Sequence, residues 1–177
     1  MGETRQPTTT MSYDSPADKQ LIAWLNDAYS MEQSLAKVLE NHADDAKDLP
    51  DVREKDLQHL YETRRHAEQI ERCLSFLGET PSTMKGMMGT VMGKVQGVAT
   101  GMFGDEIMKN FLSDYAMEHF EIACYRSLIA ASEEAGRPEI AQICREILRE
   151  EEAMAQWLAE RIPDVAKMTV LQAPAAR

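Results

Sequence analysis

Glutamates stand at positions of this sequence where a helix facing a hydrophobic core would carry leucine. Glu32 interrupts the apolar stripe of one predicted helix, and Glu151 interrupts that of another. Glu118 and Glu121 lie together in the stripe of a third. Burying an unpaired carboxylate is costly, and no Lys or Arg occupies the same inward positions. Converging glutamates therefore require a positive charge from elsewhere, and bound metal ions would supply it.

A further predicted helix brings an imidazole to the same level of the bundle. His66 flanks Thr63, which stands in the middle of that helix's apolar stripe, and Glu62 precedes the histidine by four residues. Carboxylates combined with imidazole suit iron or manganese. A single glutamate on an apolar stripe is usually a rim residue, but three on different helices favour ligands. The predicted metal ligands are Glu32, Glu62, His66, Glu118, Glu121 and Glu151.

The other histidines are not predicted to bind metal. His59 is expected to be more exposed than His66, and His119 is expected to point away from Glu118. His42 has no helical partner at ligand spacing and is expected to face solvent. The predicted site therefore has one imidazole.

Four long helices must position these side chains. Capping and proline signals predict them over about 15–46, 50–78, 105–136 and 138–163. The bundle is predicted to span 15–162, between a disordered arm at 1–14 and a flexible tail at 163–177. Short, long and short connections fit an all-α four-helix bundle with one long crossover, which is the ferritin-like connectivity. An up-down-up-down bundle is the structural alternative.

The crossover has an unusual composition. Met84 to Gly104 is rich in methionine and glycine, and Gly93, Gly97 and Gly101 recur every fourth residue. Small residues at this spacing would let one helix pack closely on another. We interpret the segment as a flexible crossover carrying a short, weakly amphipathic extra helix, and we expect it to be buried in a homodimer.

Composition limits the classes of function. The net charge of −11 disfavours nucleic acid and anionic membranes as partners, and no stretch approaches membrane-spanning length. Only 6% of the residues are aromatic, which suits helices better than a β-sandwich. Cys73, Cys124 and Cys144 are widely spaced and are expected to be core residues in a reducing compartment. We therefore expect a cytoplasmic protein.

Four runs of sequence carry a family resemblance: Asp27–Glu32, His59–Thr63, Glu118–Tyr125 and Leu148–Glu151. They resemble the bacterial YciE/YciF-type stress proteins of the ferritin-like superfamily over about 15–162, and the run from Glu118 is the most specific. The resemblance implies two metal ions held by a glutamate from each helix and an added histidine. It assigns Glu32, Glu118 and Glu151 as the main ligands, with Glu121 as a further carboxylate and His66 as the imidazole.

The sequence departs from that pattern on two helices. Thr63 stands where rubrerythrins carry a glutamate three residues before the histidine, which makes Glu62 a displaced candidate. Met154 and Ala155 fill fourth-helix positions where a histidine or an acid would complete the ligand set. One ion is therefore expected to be held more weakly.

The resemblance implies a metal-binding stress protein with two ions, iron first and manganese as the alternative. Redox chemistry with oxygen or peroxide would follow, with Tyr29, Tyr115 and Tyr125 as donors or oxidisable neighbours beside the ligands. Manganese-catalase-like dismutation differs only in the metal and its surroundings. The alternative from another class is a non-catalytic helical dimer that acts as an interaction protein with a vestigial site. The sequence leaves open whether the protein is an enzyme.

Overall fold

The computed structural model describes residues 15–82 and 105–172, and within them the chain is helical with no strand. Four helices follow one another: α1 Pro16–Asp45, α2 Pro50–Phe76, α3 Glu106–Glu134 and α4 Pro138–Gln172. The all-α four-helix bundle with a long second connection is confirmed. The predicted short extra helix and the predicted arm lie outside the described residues. None of the described helices has the length and apolarity that a membrane crossing needs.

Helix ends follow the capping signals closely. The Ser15 hydroxyl accepts a bond from the Asp18 amide at 3.0 Å, and Pro16 fills the first turn of α1. Gly78 and Gly136 adopt φ values of 76° and 70° after α2 and α3, a conformation that favours glycine. These two glycines end the helices because the left-handed residue turns the chain out of the helical path.

The expected helix end at Pro163 is wrong, because α4 continues through Pro163 to Gln172. A proline inside a helix removes one backbone hydrogen bond and crowds the preceding turn. Here Val165, just beyond the proline, is buried in an apolar cluster with Val52 and Leu158. Burial of Val165 favours continuation of the helix through the proline, and the segment that was predicted as a tail is helical to Gln172.

Packing divides the bundle into two close pairs, α1 with α2 and α3 with α4, and the pairs meet along α1–α3 and α2–α4. Buried side chains on each helix recur alternately after three and four residues, the spacing of antiparallel bundles. One apolar cluster includes Leu25 and Ile147, and a second includes Phe111 and Leu158. The polar residues described next lie between these clusters on α2 and α4, and next to the first cluster on α1 and α3.

Candidate metal centre

Buried carboxylates and histidines converge from all four helices at the middle of the bundle. These residues are almost completely excluded from solvent: Glu32, His59, His66, Glu118, Glu121 and Glu151, each 0–2% exposed. The heptad-like spacing aims them inward as it aims the leucines on either side. The carboxylates are therefore core residues and not rim residues.

Two groups of three side chains have ligand atoms close enough to share an ion. Glu32, His66 and Glu151 form one group, and His59, Glu118 and Glu151 form the other, with ligand atoms within 4.8 Å of one another in each. Glu151 belongs to both. A carboxylate shared by two such groups is suited to bridge a pair of ions.

The inner nitrogen of each histidine faces these carboxylates. His66 Nδ1 lies 2.9 Å from Glu151 Oε1 and 3.7 Å from Glu32 Oε2. His59 Nε2 lies 3.0 Å from Glu118 Oε1 and 3.7 Å from Glu151 Oε2. The two imidazoles thus stand in equivalent places on either side of Glu151.

The outer nitrogen of each histidine meets a partly exposed glutamate. Glu150 Oε2 lies 2.6 Å from His66 Nε2, and Glu62 Oε2 lies 3.3 Å from His59 Nδ1. Histidines that bind metals usually donate their second N–H to a carboxylate, which fixes the tautomer and the ring orientation. Glu62 and Glu150 are placed for this role.

Several atoms directed into the centre make no hydrogen bond of good geometry within the described part of the chain, even where, as between His66 Nδ1 and Glu151 Oε1, two of them lie close together. They are Glu32 Oε2, His66 Nδ1, Glu118 Oε2 and both carboxylate oxygens of Glu151. Unpartnered buried polar atoms are rare and costly in native proteins. All five belong to the two groups around Glu151, so the donor set fits a pair of cations in number, type and burial.

Burial and mutual repulsion hold most of the carboxylates toward the neutral form. Burial raises the pKa of Glu118 to about 8, with Glu151 adding to the effect and His59 opposing it. Burial, followed by the charge of Glu151, raises the pKa of Glu121 well above its usual range. The pKa of Glu32 is also raised, chiefly by burial. Without metal, this cluster resists ionisation.

The histidines supply the positive charge that no Lys or Arg supplies at the inward positions. Burial opposes protonation, yet Glu151 and Glu32 raise the pKa of His66 to about 10. Glu118 likewise raises the pKa of His59 well above its usual range against the effect of burial. The two imidazolium groups outweigh burial and lower the pKa of Glu151. Cations that bind here must therefore displace protons from both rings.

The structure places the remaining predicted ligands beside the two groups and not in them. Glu121 is buried, and its pKa responds to Glu32, Glu118 and Glu151, so it lies near them. Glu62 is partly exposed and bonds to His59. A direct bond from Glu121 or Glu62 to metal stays a prediction.

The three tyrosines have different positions. Tyr125 is fully buried and its hydroxyl donates a short hydrogen bond to Glu32 Oε1. Tyr115 makes an edge contact with the ring of the exposed His119, with 4.5 Å between centroids. Tyr29 is half-buried against the apolar core. Only Tyr125 has a contact with a carboxylate of the two groups among the described residues.

The expected exposure of His59 and His42 is wrong. His59 is 1% exposed and belongs to the centre, and His42 is 4% exposed. His59 precedes His66 by seven residues, two helical turns, with the buried Thr63 between them. A strict alternation of three and four residues along α2 would have placed both histidines on the inward face.

His42 belongs to a second buried polar layer. Its Nδ1 lies 2.9 Å from both carboxylate oxygens of Asp114, whose charge raises the pKa of His42 against burial. Asp56 lies near this pair, and burial followed by the charge of Asp114 raises its pKa to about 7. His42 follows Glu32 by ten residues, so the layer stands about three turns away along α1.

The chain matches one known family over most of its length. Residues 16–171 match a domain of unknown function, DUF892. A Xanthomonas campestris protein of solved structure is 33% identical in sequence, with a TM-score of 0.77 and coverage of 89% of this chain and 98% of that chain. The E. coli stress protein YciF is 24% identical with a TM-score of 0.69, covering 90% and 99%.

A more distant likeness concerns the fold. The bacterioferritin of Desulfovibrio desulfuricans, described with a diiron site, is 19% identical with a TM-score of 0.70, covering 85% of this chain and 82% of that chain. At this identity the likeness extends to the architecture alone. It confirms that the four helices form a ferritin-like bundle.

Proposed function

The chain belongs to the DUF892 family and is of the YciE/YciF type that its sequence predicts, and on this premise we propose that it binds two metal ions in the core of its bundle. The observation that carries the proposal is the pair of three-residue groups that share Glu151 and hold the unpartnered buried atoms. Each group offers one imidazole and two carboxylates. Such a donor set is typical of iron and manganese, with iron the first choice.

When bound, iron or manganese would supply one-electron chemistry with oxygen or peroxide. The protein's own contribution is positioning and exclusion of water. Tyr125 fixes one oxygen of Glu32, and the exposed-side glutamates Glu62 and Glu150 fix the two histidine rings. Apolar side chains on both sides of the centre keep water from the ends of the bundle.

We extend the proposal to a role in stress response, as a homodimer in the cytoplasm. The stress role rests on the likeness to YciF, which is described as a stress protein. The dimer rests on the apolar, small-residue content of Met84 to Gly104 in an acidic chain. Light scattering at micromolar concentration tests it, and a stable monomer would contradict it.

Metal stoichiometry tests the two-ion proposal directly. We expect the metal-free protein to bind two equivalents of Mn²⁺ or anaerobic Fe²⁺ in calorimetric titration. Glu32→Gln and Glu118→Gln should each weaken the binding of one ion, because each glutamate belongs to one group. Glu151→Gln should weaken the binding of both ions. Metal at a hundred times Kd should stabilise the wild type by about 2.7 kcal/mol for each bound ion, and Glu151→Gln should lose this gain.

Glu40→Gln is the matched control, because Glu40 lies on α1 with Glu32 but is exposed and paired with Arg64. It should bind both ions as the wild type does. A wild type that binds no ion would favour the non-catalytic interaction protein. Equal binding by Glu151→Gln and the wild type would place the metal elsewhere in the chain.

A further inference from the structure

A groove between α2 and α4 lies at the surface next to the centre. The groove has a volume of about 470 Å³. Nine residues line it: Lys55, Gln58, Glu62, Arg65, Gln69, Glu146, Arg149, Glu150 and Ala153. Two of them, Glu62 and Glu150, bond directly to the histidines of the centre. Two carboxylates of the groove wall therefore contact the outer nitrogens of the buried histidines.

Gln69 gives an independent sign that the groove takes a ligand. Its side chain lines the groove, the residue is only 9% exposed, and its Oε1 has no hydrogen-bond partner in the described part of the chain. Gln69 follows His66 by three residues and Glu62 by seven, so the three lie on one face of α2. Amide and carboxylate oxygens along one groove are donors that suit a divalent cation.

We propose that this groove is the route by which divalent metal ions reach the centre, with Glu62 and Glu150 as the carboxylates that bind them first. The inference rests on the proposed metal-binding function and adds to it the path of loading. An ion at either glutamate lies against the outer nitrogen of a histidine whose inner nitrogen faces Glu151 or Glu118. One imidazole ring therefore separates the outer position from the inner one.

The cations in the groove are compatible with this role. Arg65 bonds to Glu150, but its side chain is 40% exposed and can turn into solvent when an ion arrives. Lys55 interacts with Glu62 only through its charge. Both side chains are long and flexible, so they can neutralise the glutamates in the metal-free protein and give way to a cation of higher charge.

The rate of Co²⁺ uptake tests the proposal without any activity assay. Bound cobalt has visible absorbance, so stopped-flow mixing with the metal-free protein gives the association rate. In Glu62→Gln/Glu150→Gln the amide oxygen can still accept from each histidine, which preserves ring orientation while removing the charge. We expect uptake to slow about tenfold or more, since lining charge raises association rates by such factors. Release to a chelator should slow as well.

The double variant Glu54→Gln/Glu152→Gln is the matched control. It removes two charges from the same helices, but neither glutamate lines this groove, and Glu152 lines a groove between α3 and α4. Its uptake rate should equal that of the wild type. Equal slowing in both double variants would overturn the proposal, because net charge alone would then explain the effect.

A steric block gives a second readout that does not touch either glutamate. Ala153 is exposed in the proposed groove, and Ala159 is exposed in the groove between α3 and α4. We expect Ala153→Trp to slow Co²⁺ uptake and Ala159→Trp to leave it unchanged. Normal uptake by Ala153→Trp and by Glu62→Gln/Glu150→Gln would overturn the route while leaving the two-ion centre intact. Absence of cobalt binding by the wild type would instead refute the metal-binding function and the route with it.

Discussion

The bundle buries ionic groups in two places that are built in opposite ways. Near the start of α1, Asp18 is 2% exposed and accepts bonds from Arg137 at 2.9 and 3.0 Å and from the Ser15 hydroxyl at 2.7 Å. At the centre, Glu32, Glu118 and Glu151 are equally buried, yet each has an oxygen without a hydrogen-bond partner among the described residues. One site is complete within the protein and the other is not.

The difference lies in the kind of positive charge each place uses. The Arg137 guanidinium cannot lose its proton, so the Asp18 pair is permanent. His59 and His66 carry their charge only while protonated, and a metal ion can take the place of those protons. Buried acids that serve structure alone are paired with arginine here. At the centre the acids face histidines, one another and a tyrosine, and their oxygens without hydrogen-bond partners among the described residues indicate a site for an exchangeable cation.

The largest expected effect concerns the permanent pair. Arg137→Met leaves Asp18 buried without its guanidinium, and we expect a loss of about 3–5 kcal/mol in the free energy of unfolding. Arg145→Met is the control, since Arg145 lies eight residues further on in α4, is partly exposed and pairs with Glu133, and the change should cost less than about 1 kcal/mol. Urea unfolding measures both. If Arg137→Met lost little free energy of unfolding, the Asp18–Arg137 pair would not be important for stability, and the contrast with the centre would not hold.

The fold was predictable from the sequence because its signals are local. Ser15 with Pro16, Pro50 and Pro138 mark helix starts, and Gly78 and Gly136 mark ends, each by its own backbone preference. The helix end predicted at Pro163 is wrong because burial of the following turn outweighs the lost hydrogen bond. That burial depends on residues far away in sequence, so local sequence signals do not predict it.

The site was predictable in part. Glu32, Glu118 and Glu151 stand out because a carboxylate on an apolar stripe is conspicuous by type. His59 was missed because histidine is tolerated inside or outside, so only its register with His66 could place it. Glu150 lies outside the apolar stripe of α4 and meets His66 from α2. No pattern within one helix reveals such a contact.

A smaller effect is expected at the centre itself. Burial and the charges of Glu151 and Glu32 raise the pKa of Glu121 well above its usual range, so its charged form destabilises the folded metal-free protein. Glu121→Gln keeps the shape and removes this cost, and we expect the metal-free protein to gain roughly 1–3 kcal/mol at pH 7. Differential unfolding in the presence of chelator measures the gain.

Glu134→Gln is the control for that variant, because Glu134 lies on the same helix and is exposed. Its effect should stay within about 0.5 kcal/mol. A loss of stability in Glu121→Gln would mean that the carboxylate makes favourable contacts in the metal-free state. The centre would then resemble the Asp18 pair, and the contrast between the two places would not hold.

The smallest expected effect is the dependence of the free energy of unfolding on pH, which has opposite signs at the two places. Burial opposes ionisation of Asp18, but its bonds to Ser15 and Arg137 outweigh this and lower its pKa, so its stabilisation is present above about 3.8 and is lost as pH falls. Glu118 has the opposite sign. Burial raises its pKa to about 8 from 4.5, so the folded metal-free protein binds the extra proton and loses stability as pH rises between those values.

A whole proton would give a slope of about 1.4 kcal/mol per pH unit, and since His59 shares the charge change we expect Glu118 alone to contribute roughly half of that. Metal-free stability should therefore fall between pH 5 and 8, and Glu118→Gln should flatten the fall. Asp18→Asn should lower stability without changing the slope in this range, because the titration of Asp18 lies below it. Saturating Mn²⁺ should oppose the fall, since metal binding releases protons and is favoured as pH rises.

Urea unfolding at several pH values, with chelator or Mn²⁺, measures all four cases. A metal-free slope that is flat or rising would show that the central carboxylates are already ionised and balanced by the two histidines, and the centre would then have no need of a metal ion.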